Sequence, residues 1–235
     1  HNTLAIEKAI RKKKLLSLIR NKLTAVFVSK YLKNVTSKIY LFNKKIVIPN
    51  FLSKEFNNIR INYKRKKIII WSVQRNRGLQ ETLDMWIKFV YPTNNDAMFY
   101  VFGVSKKDYS KKIGFYKKHN IFFFGRVSKI KLRNVYTESL GMICLGYDET
   151  FCLNALEGNS CGLPVFTFGK TALNELIHDK NNGMISNDFS QLALRLNKFL
   201  NSNFTIRKRY IKNSYNYSKK YTLDKIINHW IKLLK

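Results

Sequence analysis

In the stretch YDETFCLNALEGNSCGLP, residues 147–164, Glu149 and Glu157 stand eight positions apart on either side of an uncharged, mostly apolar run, in a chain with a formal net charge of +30. Carboxylates accept hydrogen bonds from hydroxyls, and unpaired backbone amides hold phosphate. The run GMICLG reads as a strand leading to a loop at 146–150, and the residues from Phe151 to Cys161 read as a helix closing near Gly162, with Pro164 opening the next strand. Glu149 then precedes the helix and Glu157 lies in its second turn. Eight residues of helix set the two acids about 12 Å apart along the axis and ~80° apart around it, so one ligand could touch both. Between them the free N–H groups of Thr150, Phe151, Cys152 and Leu153 crown a helix start, which carries partial positive charge. A molecule with hydroxyls at both ends and phosphates in the middle fits this arrangement. A nucleotide diphosphate sugar is one, with Glu149 toward the hexose and Glu157 toward the ribose. The same spacing also fits a plainer reading, in which Glu149 is an acid favoured by the helix dipole and Glu157 an exposed helix residue.

The elements that must position these residues are legible from about residue 67 onward. Short apolar runs (KKIIIWS, AMFYVFG, IFFFG, GMICLG, PVFTF, GMIS) alternate with longer amphipathic ones (LQETLDMWIKFV, DYSKKIGFYKKH, IKLRNVYTESL, the run after Glu149, ALNELIHD, FSQLALRLNKFL). This pattern predicts an α/β fold, a Rossmann-like doubly wound parallel sheet of about six strands, with ligands bound at the carboxyl ends of the strands. After the first of these strands stands WSVQRNRG, with no G-x-G-x-x-G, which argues against a dinucleotide-dependent dehydrogenase. Arg75 and Arg77 in that loop suit phosphate contact, or else a solvated basic loop. Trp71 and Trp86 are expected in the core. The tail, from residue 205, reads as two helices, the second capped by Thr222 and carrying an apolar stripe of Leu223, Ile226, Ile227, Trp230, Leu233 and Leu234. The first sixty residues differ: a basic amphipathic helix over about 4–22, a strand TAVFVS, a helix start and then KIVIPN, together resembling the trailing edge of another α/β domain.

Composition sets the outer bounds. At 235 residues and 45% hydrophobic the chain can bury a core, and no apolar stretch approaches the length of a membrane span. Forty-four basic against fourteen acidic residues would attract any polyanion, although an even spread of Lys among many Asn and Ile also fits a genome that favours those codons. Cys144, Cys152 and Cys161 are odd in number and lack C-x-x-C, and the four histidines lack ligand spacing, so the spacing indicates neither a disulfide framework nor a zinc site, and a reducing cytoplasm fits. The start at His1, with neither an initiator methionine nor a signal peptide, leads us to expect a fragment.

Glu149 and Glu157 with ETFCLNALE, then CGLPVFTF and ALNELI, resemble the Glu-x7-Glu signature and following G-x-P-V…E-x-I run of the retaining glycosyltransferases of family 4, which have the two-domain GT-B architecture. VIPN at 47–50 is similar to that family's interdomain linker, RNRGLQETLDMWIKF at 75–89 to its basic-Gly-Leu entry into the first helix, and FFFGRVS at 122–128 to its Gly-containing turn. The resemblance implies residues 1–50 as the end of an acceptor-binding domain plus linker, 51–220 as the nucleotide-sugar domain, and 221–235 as a helix returning toward the first domain. It implies that Glu149 contacts the donor sugar, that amides around Thr150, Phe151, Cys152 and Leu153 meet sugar and diphosphate, that Glu157 holds the ribose, and that Arg77, with Arg75 as a second candidate, neutralises phosphate charge in catalysis. Trp71 and Ser72 occupy the place of the usual Gly-Arg pair, so one phosphate-binding arginine is missing there, and Ser72 takes its position in the donor loop. Cys152 stands where many members have Gly.

The implied activity is transfer of a hexose from a nucleotide diphosphate sugar, with retention, to a glycan, lipid-linked or protein acceptor. It needs no cofactor, and no Asp-x-Asp metal motif is present. A chain holding mainly the donor half should not turn over alone. The expected partners are the donor and a glycan or lipid-linked acceptor, in the cytoplasm, with contact to the inner face of an anionic membrane if the 4–22 helix lies on that surface. Competing readings are a basic nucleic-acid-binding protein, for which no zinc finger, RNP-like motif or helix-turn-helix spacing is present, and a noncatalytic module that binds nucleotide sugar.

Overall fold

The computed structural model of the protein describes residues 23–36 and 42–235. The helix expected over about 4–22 lies outside them. The first described strands, β1 (Thr24–Phe27) and β2 (Lys44–Val47), form a small parallel pair with α1 (Lys30–Val35) between them in sequence. The remaining strands are β3 (Ile68–Trp71), β4 (Met98–Phe102), β5 (Ile121–Gly125), β6 (Gly141–Ile143), β7 (Val165–Thr167) and β8 (Gly183–Ile185). They make a six-stranded sheet in the order β5-β4-β3-β6-β7-β8 with every pairing parallel, the α/β fold expected. Central parallel strands are covered on both faces, so they carry unbroken apolar runs rather than alternation. Ile68–Trp71 is such a run and is buried throughout. Trp71 and Trp86 are both fully buried, and Trp86 stacks on Phe99 at 5.0 Å while its indole N–H donates to the His119 carbonyl.

The connecting helices are α2 (Leu79–Met85), α3 (Ile113–Lys118), α4 (Lys129–Glu138), α5 (Leu153–Ser160), α6 (Leu173–Leu176) and α7 (Phe189–Leu200), followed by α8 (Phe204–Ser218) and α9 (Leu223–Leu234). Three depart from the periodic reading. Beyond Met85, α2 widens into a π-helical stretch, Trp86–Val90, and then tightens into a 3₁₀ turn over Tyr91–Thr93 containing Pro92, whose missing N–H ends the helical ladder. The expected helix 108–119 is a 3₁₀ segment, Lys106–Lys112, that becomes α-helical only at Ile113. The helix after Glu149 begins at Leu153 instead of Phe151, because Cys152 takes a left-handed backbone conformation, φ 69°, at the N-cap. At the start of α9, Thr222 holds the N-cap position but its side chain makes no capping bond, and of the apolar stripe only Ile226 is buried.

Two helices that border the strands' carboxyl ends are fixed at their far ends by one side chain. Arg65 donates to the carbonyls of Asn62 (2.7 Å), Tyr136 (3.3 Å), Ser139 (2.9 Å) and Cys161 (2.6 Å), the last three being carbonyls at the carboxyl ends of α4 and α5. Burial lowers the Arg65 pKa to about 10, so the group is still a cation at neutral pH. The end of α5 closes in a Schellman turn: Gly162 N–H bonds Asn159 O at 2.8 Å and Leu163 N–H bonds Gly158 O at 2.9 Å, with Gly162 at φ 78°. A β-carbon on Gly162 would come within 2.7 Å of the Arg65 guanidinium, so the turn and the clamp require each other. Arg65→Met keeps the aliphatic stem and removes the donors; it should lower the unfolding free energy by roughly 2–4 kcal/mol in urea titrations. A loss below about 0.5 kcal/mol would show that water satisfies those carbonyls equally well.

Candidate functional site

The chain enters the sheet at β3, moves outward to β5 and crosses back to β6, so the direction of winding reverses between β3 and β6. In doubly wound sheets this reversal opens a crevice at the strands' carboxyl ends. The loop after β3 carries Ser72, Arg75 and Arg77, and the loop after β6 carries Glu149–Cys152. Asn154 stitches them together, its amide donating to the Ser72 carbonyl at 2.5 Å, while the Ser72 hydroxyl shares a 2.5 Å bond with the buried Tyr136 hydroxyl. Arg77 pairs with Glu149 at 3.0 Å, the two side chains 20% and 15% exposed, and also donates to the Tyr147 carbonyl. Gly78 makes this approach possible. It sits at φ 94°, and a β-carbon there would fall 2.5 Å from Leu145 and 2.8 Å from Tyr147. Val73, Gln74, Arg77, Glu149, Cys152, Leu153 and Asn154 line an open cavity of about 210 Å³. Burial raises the Glu149 pKa, and the neighbouring Arg77 works against that rise.

Glu157 faces a different flank of α5. Its side chain is 6% exposed, so it is not the solvated helix position that the spacing alone also allowed. The Lys129 ammonium sits 3.1 Å from its carboxylate and 3.0 Å from the Ser53 hydroxyl. Burial raises the Glu157 pKa while Lys129 lowers it. Glu157 does not line the cavity that holds Glu149 and Arg77. Arg75 is also turned away from Arg77: it lies 3.5 Å from Asp108 and 5.3 Å from the centre of the Tyr109 ring, and it lines a separate cavity of about 540 Å³ with Gln74, Gly78, Glu81 and Arg126. Phe151 is buried, its ring edge-on to Tyr221, and the Thr150 carbonyl accepts a 2.6 Å bond from the Ser29 hydroxyl. Through Ser29 the β1–β2 segment touches the site loop, and Glu175 strengthens the contact by accepting from the Lys30 and Tyr31 amides at 2.9 and 2.6 Å, an acid at the start of α1.

Sequence reasoning did not single out Lys129, Asn154 or Tyr136, and it gave Glu175, the acid of the E-x-I run, no role of its own. Lys129 comes directly after the marked turn FFFGRVS, whose last residue, Ser128, is the N-cap of α4, so its nearness to the site could be suspected; its pairing with Glu157 spans 28 positions and depends on how α4 and α5 pack.

The family model for glycosyl transferases group 1 matches residues 53–217. No curated protein matches the chain at the sequence level. Among solved structures, the S. aureus protein TarM, crystallised as a point mutant with fondaparinux, alpha-GlcNAc-glycerol and UDP, superposes with a TM-score of 0.75 at 16% identity over 95% of this chain and 46% of its own. Sucrose-phosphate synthase from Thermosynechococcus elongatus superposes with a TM-score of 0.74 at 15% identity over 95% of this chain and 61% of its own. The C-terminal domain of the Francisella tularensis group 1 protein LpcC gives a TM-score of 0.56 at 22% identity over 74% of this chain and 96% of that domain. The chain thus spans less than half of TarM and about three fifths of the synthase.

A carboxyl whose folded-state pKa lies above its unfolded value stabilises the fold below the unfolded pKa, and that stabilisation is lost as pH rises through the folded one. The Glu157 pKa is raised from 4.5, so the stability of Glu157→Gln relative to the parent should increase as pH climbs from 4.5 toward neutral. Urea midpoints for the two proteins across that range test this, and a pH-independent difference would show that Glu157 titrates at its unfolded value.

Proposed function

Because the chain belongs to the group 1 glycosyl transferases, we propose that it is the donor-binding part of an enzyme that transfers a hexose from a nucleotide diphosphate sugar, with retention, to a glycan, lipid-linked or protein acceptor. The observation that carries this reading is the Arg77–Glu149 pair, 3.0 Å apart in the crevice where the sheet reverses. A cation and a carboxylate side by side suit a ligand in which a phosphate adjoins a hydroxylated ring: Arg77 neutralises the diphosphate as it departs, and Glu149 accepts from sugar hydroxyls. The amides of Phe151, Cys152 and Leu153 stand beside them at the start of α5. Glu157, on the far flank of the same helix, takes the ribose hydroxyls in place of its bond to Lys129. Ser72 fixes the loop through Tyr136 and Asn154. Arg75 reaches phosphate only after leaving Asp108 and Tyr109, so it contributes less than Arg77.

This assignment needs no metal and no cofactor in the chemical step, since Arg77 and the helix amides supply the positive charge. The acceptor and the rest of the reaction cleft belong to parts of the enzyme beyond this chain, which therefore binds donor without turning it over. The described residues contain no helix long and apolar enough to cross a membrane. We place the enzyme in the cytoplasm, where nucleotide sugars are made, at the inner membrane face when its acceptor is lipid-linked.

Calorimetry with UDP-, GDP-, ADP- and dTDP-hexoses tests the proposal, UDP first because TarM was crystallised with it. One donor should bind. Arg77→Ala and Glu157→Ala should each weaken the bare nucleotide diphosphate by about tenfold, roughly 1.4 kcal/mol, whereas Glu149→Ala should mainly erase the extra affinity contributed by the sugar. Failure of every sugar nucleotide, together with tight binding of single-stranded DNA at physiological salt, would replace this reading with the nucleic-acid one.

A further inference from the structure

The fold brings together two cysteines that their spacing offered no reason to pair. Cys144, just past the end of β6, and Cys152, the N-cap of α5, are both buried with their sulfurs 3.4 Å apart. A Glu149 carboxylate oxygen and the two sulfurs all lie within 4.8 Å of one another. We infer that Cys144, Glu149 and Cys152 form a binding site for one thiophilic divalent cation of the zinc and cadmium class, an inference that shares Glu149 and Cys152 with the sugar-nucleotide reading but does not rest on it.

Ligand type, spacing, access and backbone all support the assignment. Two thiolates and one carboxylate suit a borderline-soft d¹⁰ ion, and three protein ligands leave a fourth position for water or an exogenous oxygen. Two sulfurs sharing a tetrahedral ion at ~2.3 Å stand about 3.8 Å apart, so the observed pair needs to open by only a few tenths of an ångström. Glu149 closes the third side by a side-chain movement of about 1 Å, which brings its oxygen to the ~3.5 Å from each sulfur that such a site requires. Both Glu149 and Cys152 line the cavity of about 210 Å³ beside Arg77, which gives the ion a way in and room for the fourth ligand.

Cys152 holds φ 69°, a conformation that costs a residue with a β-carbon about 1–2 kcal/mol and costs glycine little, and it is this backbone that sets its sulfur against Cys144. An ion here would draw Glu149 away from Arg77, leaving the guanidinium free for an anion while denying a sugar its carboxylate.

The test is a titration of the reduced, chelator-stripped 235-residue chain with Cd²⁺, followed by the ultraviolet thiolate-to-cadmium charge-transfer band. The expected result is saturation at one ion per chain. Cys144→Ala and Cys152→Gly should each weaken binding at least tenfold; the glycine suits the left-handed backbone, so that variant folds. Glu149→Gln should also lose about tenfold. Cys161→Ala, whose sulfur lies at the opposite end of α5, should bind as the parent does. No band in the parent, a band undiminished in Cys152→Gly or in Glu149→Gln, or a band lost in Cys161→Ala overturns the assignment.

Discussion

A single half-buried guanidinium sets the geometry of the crevice from behind. Arg65 gathers the terminal carbonyls of α4 and α5, so the two helices are referenced to one point at their carboxyl ends. A helix is stiff, and fixing one end against the sheet fixes where the other emerges. The other ends border the candidate site: α4 opens with Ser128 and Lys129, and α5 opens with Cys152 and Leu153. A cation is well chosen for this role, because helix carboxyl ends carry partial negative charge and no acid need be buried beside it. Within the interior, a ring of carbonyls is a gentler counterpart than a carboxylate, since it avoids desolvating a second full charge.

The crevice itself stores opposed charges at short range. Arg77 and Glu149 are mostly withdrawn from water yet not sealed off, and the burial that raises the Glu149 pKa shows that its carboxylate is incompletely compensated by one arginine. A ligand offering both an anion and hydroxyl donors improves the position of both side chains at once, whereas a simple anion would strand Glu149 and a simple cation would strand Arg77. Glu157 repeats the pattern with Lys129 on the other flank of α5. Two acid–base pairs, separated along one helix, are therefore better matched to a bipolar ligand than to a polyanion of uniform charge.

Much of this was legible in the sequence because it is local. The six strands announced themselves as short apolar runs, the loop after β3 as a basic segment ahead of Gly78, and the acids as Glu-x7-Glu around an apolar helix. What escaped is non-local or depends on backbone detail. Asn154 bonding to Ser72 spans 82 positions and Glu175 capping α1 spans 144 or more, distances over which periodicity carries no signal. The late start of α5 follows from the φ of Cys152, a conformation cysteine rarely adopts and no residue-type rule would propose. The π-helical continuation of α2 likewise shares its apolar spacing with an ordinary helix. Nor could spacing reveal that Arg75 and Arg77, two positions apart in one 3₁₀ turn, would point toward different partners.

The surplus of positive charge belongs to a different level of explanation from the site. With +30 formal charges, the chain presents a field that draws anions of every kind, but at about 0.1 M salt that field fades over roughly 10 Å and does not distinguish a nucleotide from a nucleic acid. Selection has to come from groups close enough and dry enough to escape screening. In the crevice those groups are Arg77, Glu149 and the amides opening α5, and on its flank Glu157 with Lys129. On the proposed reading the carboxylates exert the discrimination, because in a chain with 44 basic against 14 acidic residues a buried acid repels phosphate where most of the charge attracts it. A polyphosphate backbone laid along α5 would press its anionic charge against both glutamates, whereas in the donor-binding reading proposed above a short diphosphate bounded by hydroxylated rings would set its charge between them. On that reading the two acids would turn an indiscriminate attraction for anions into a requirement on ligand length and on where its charge sits.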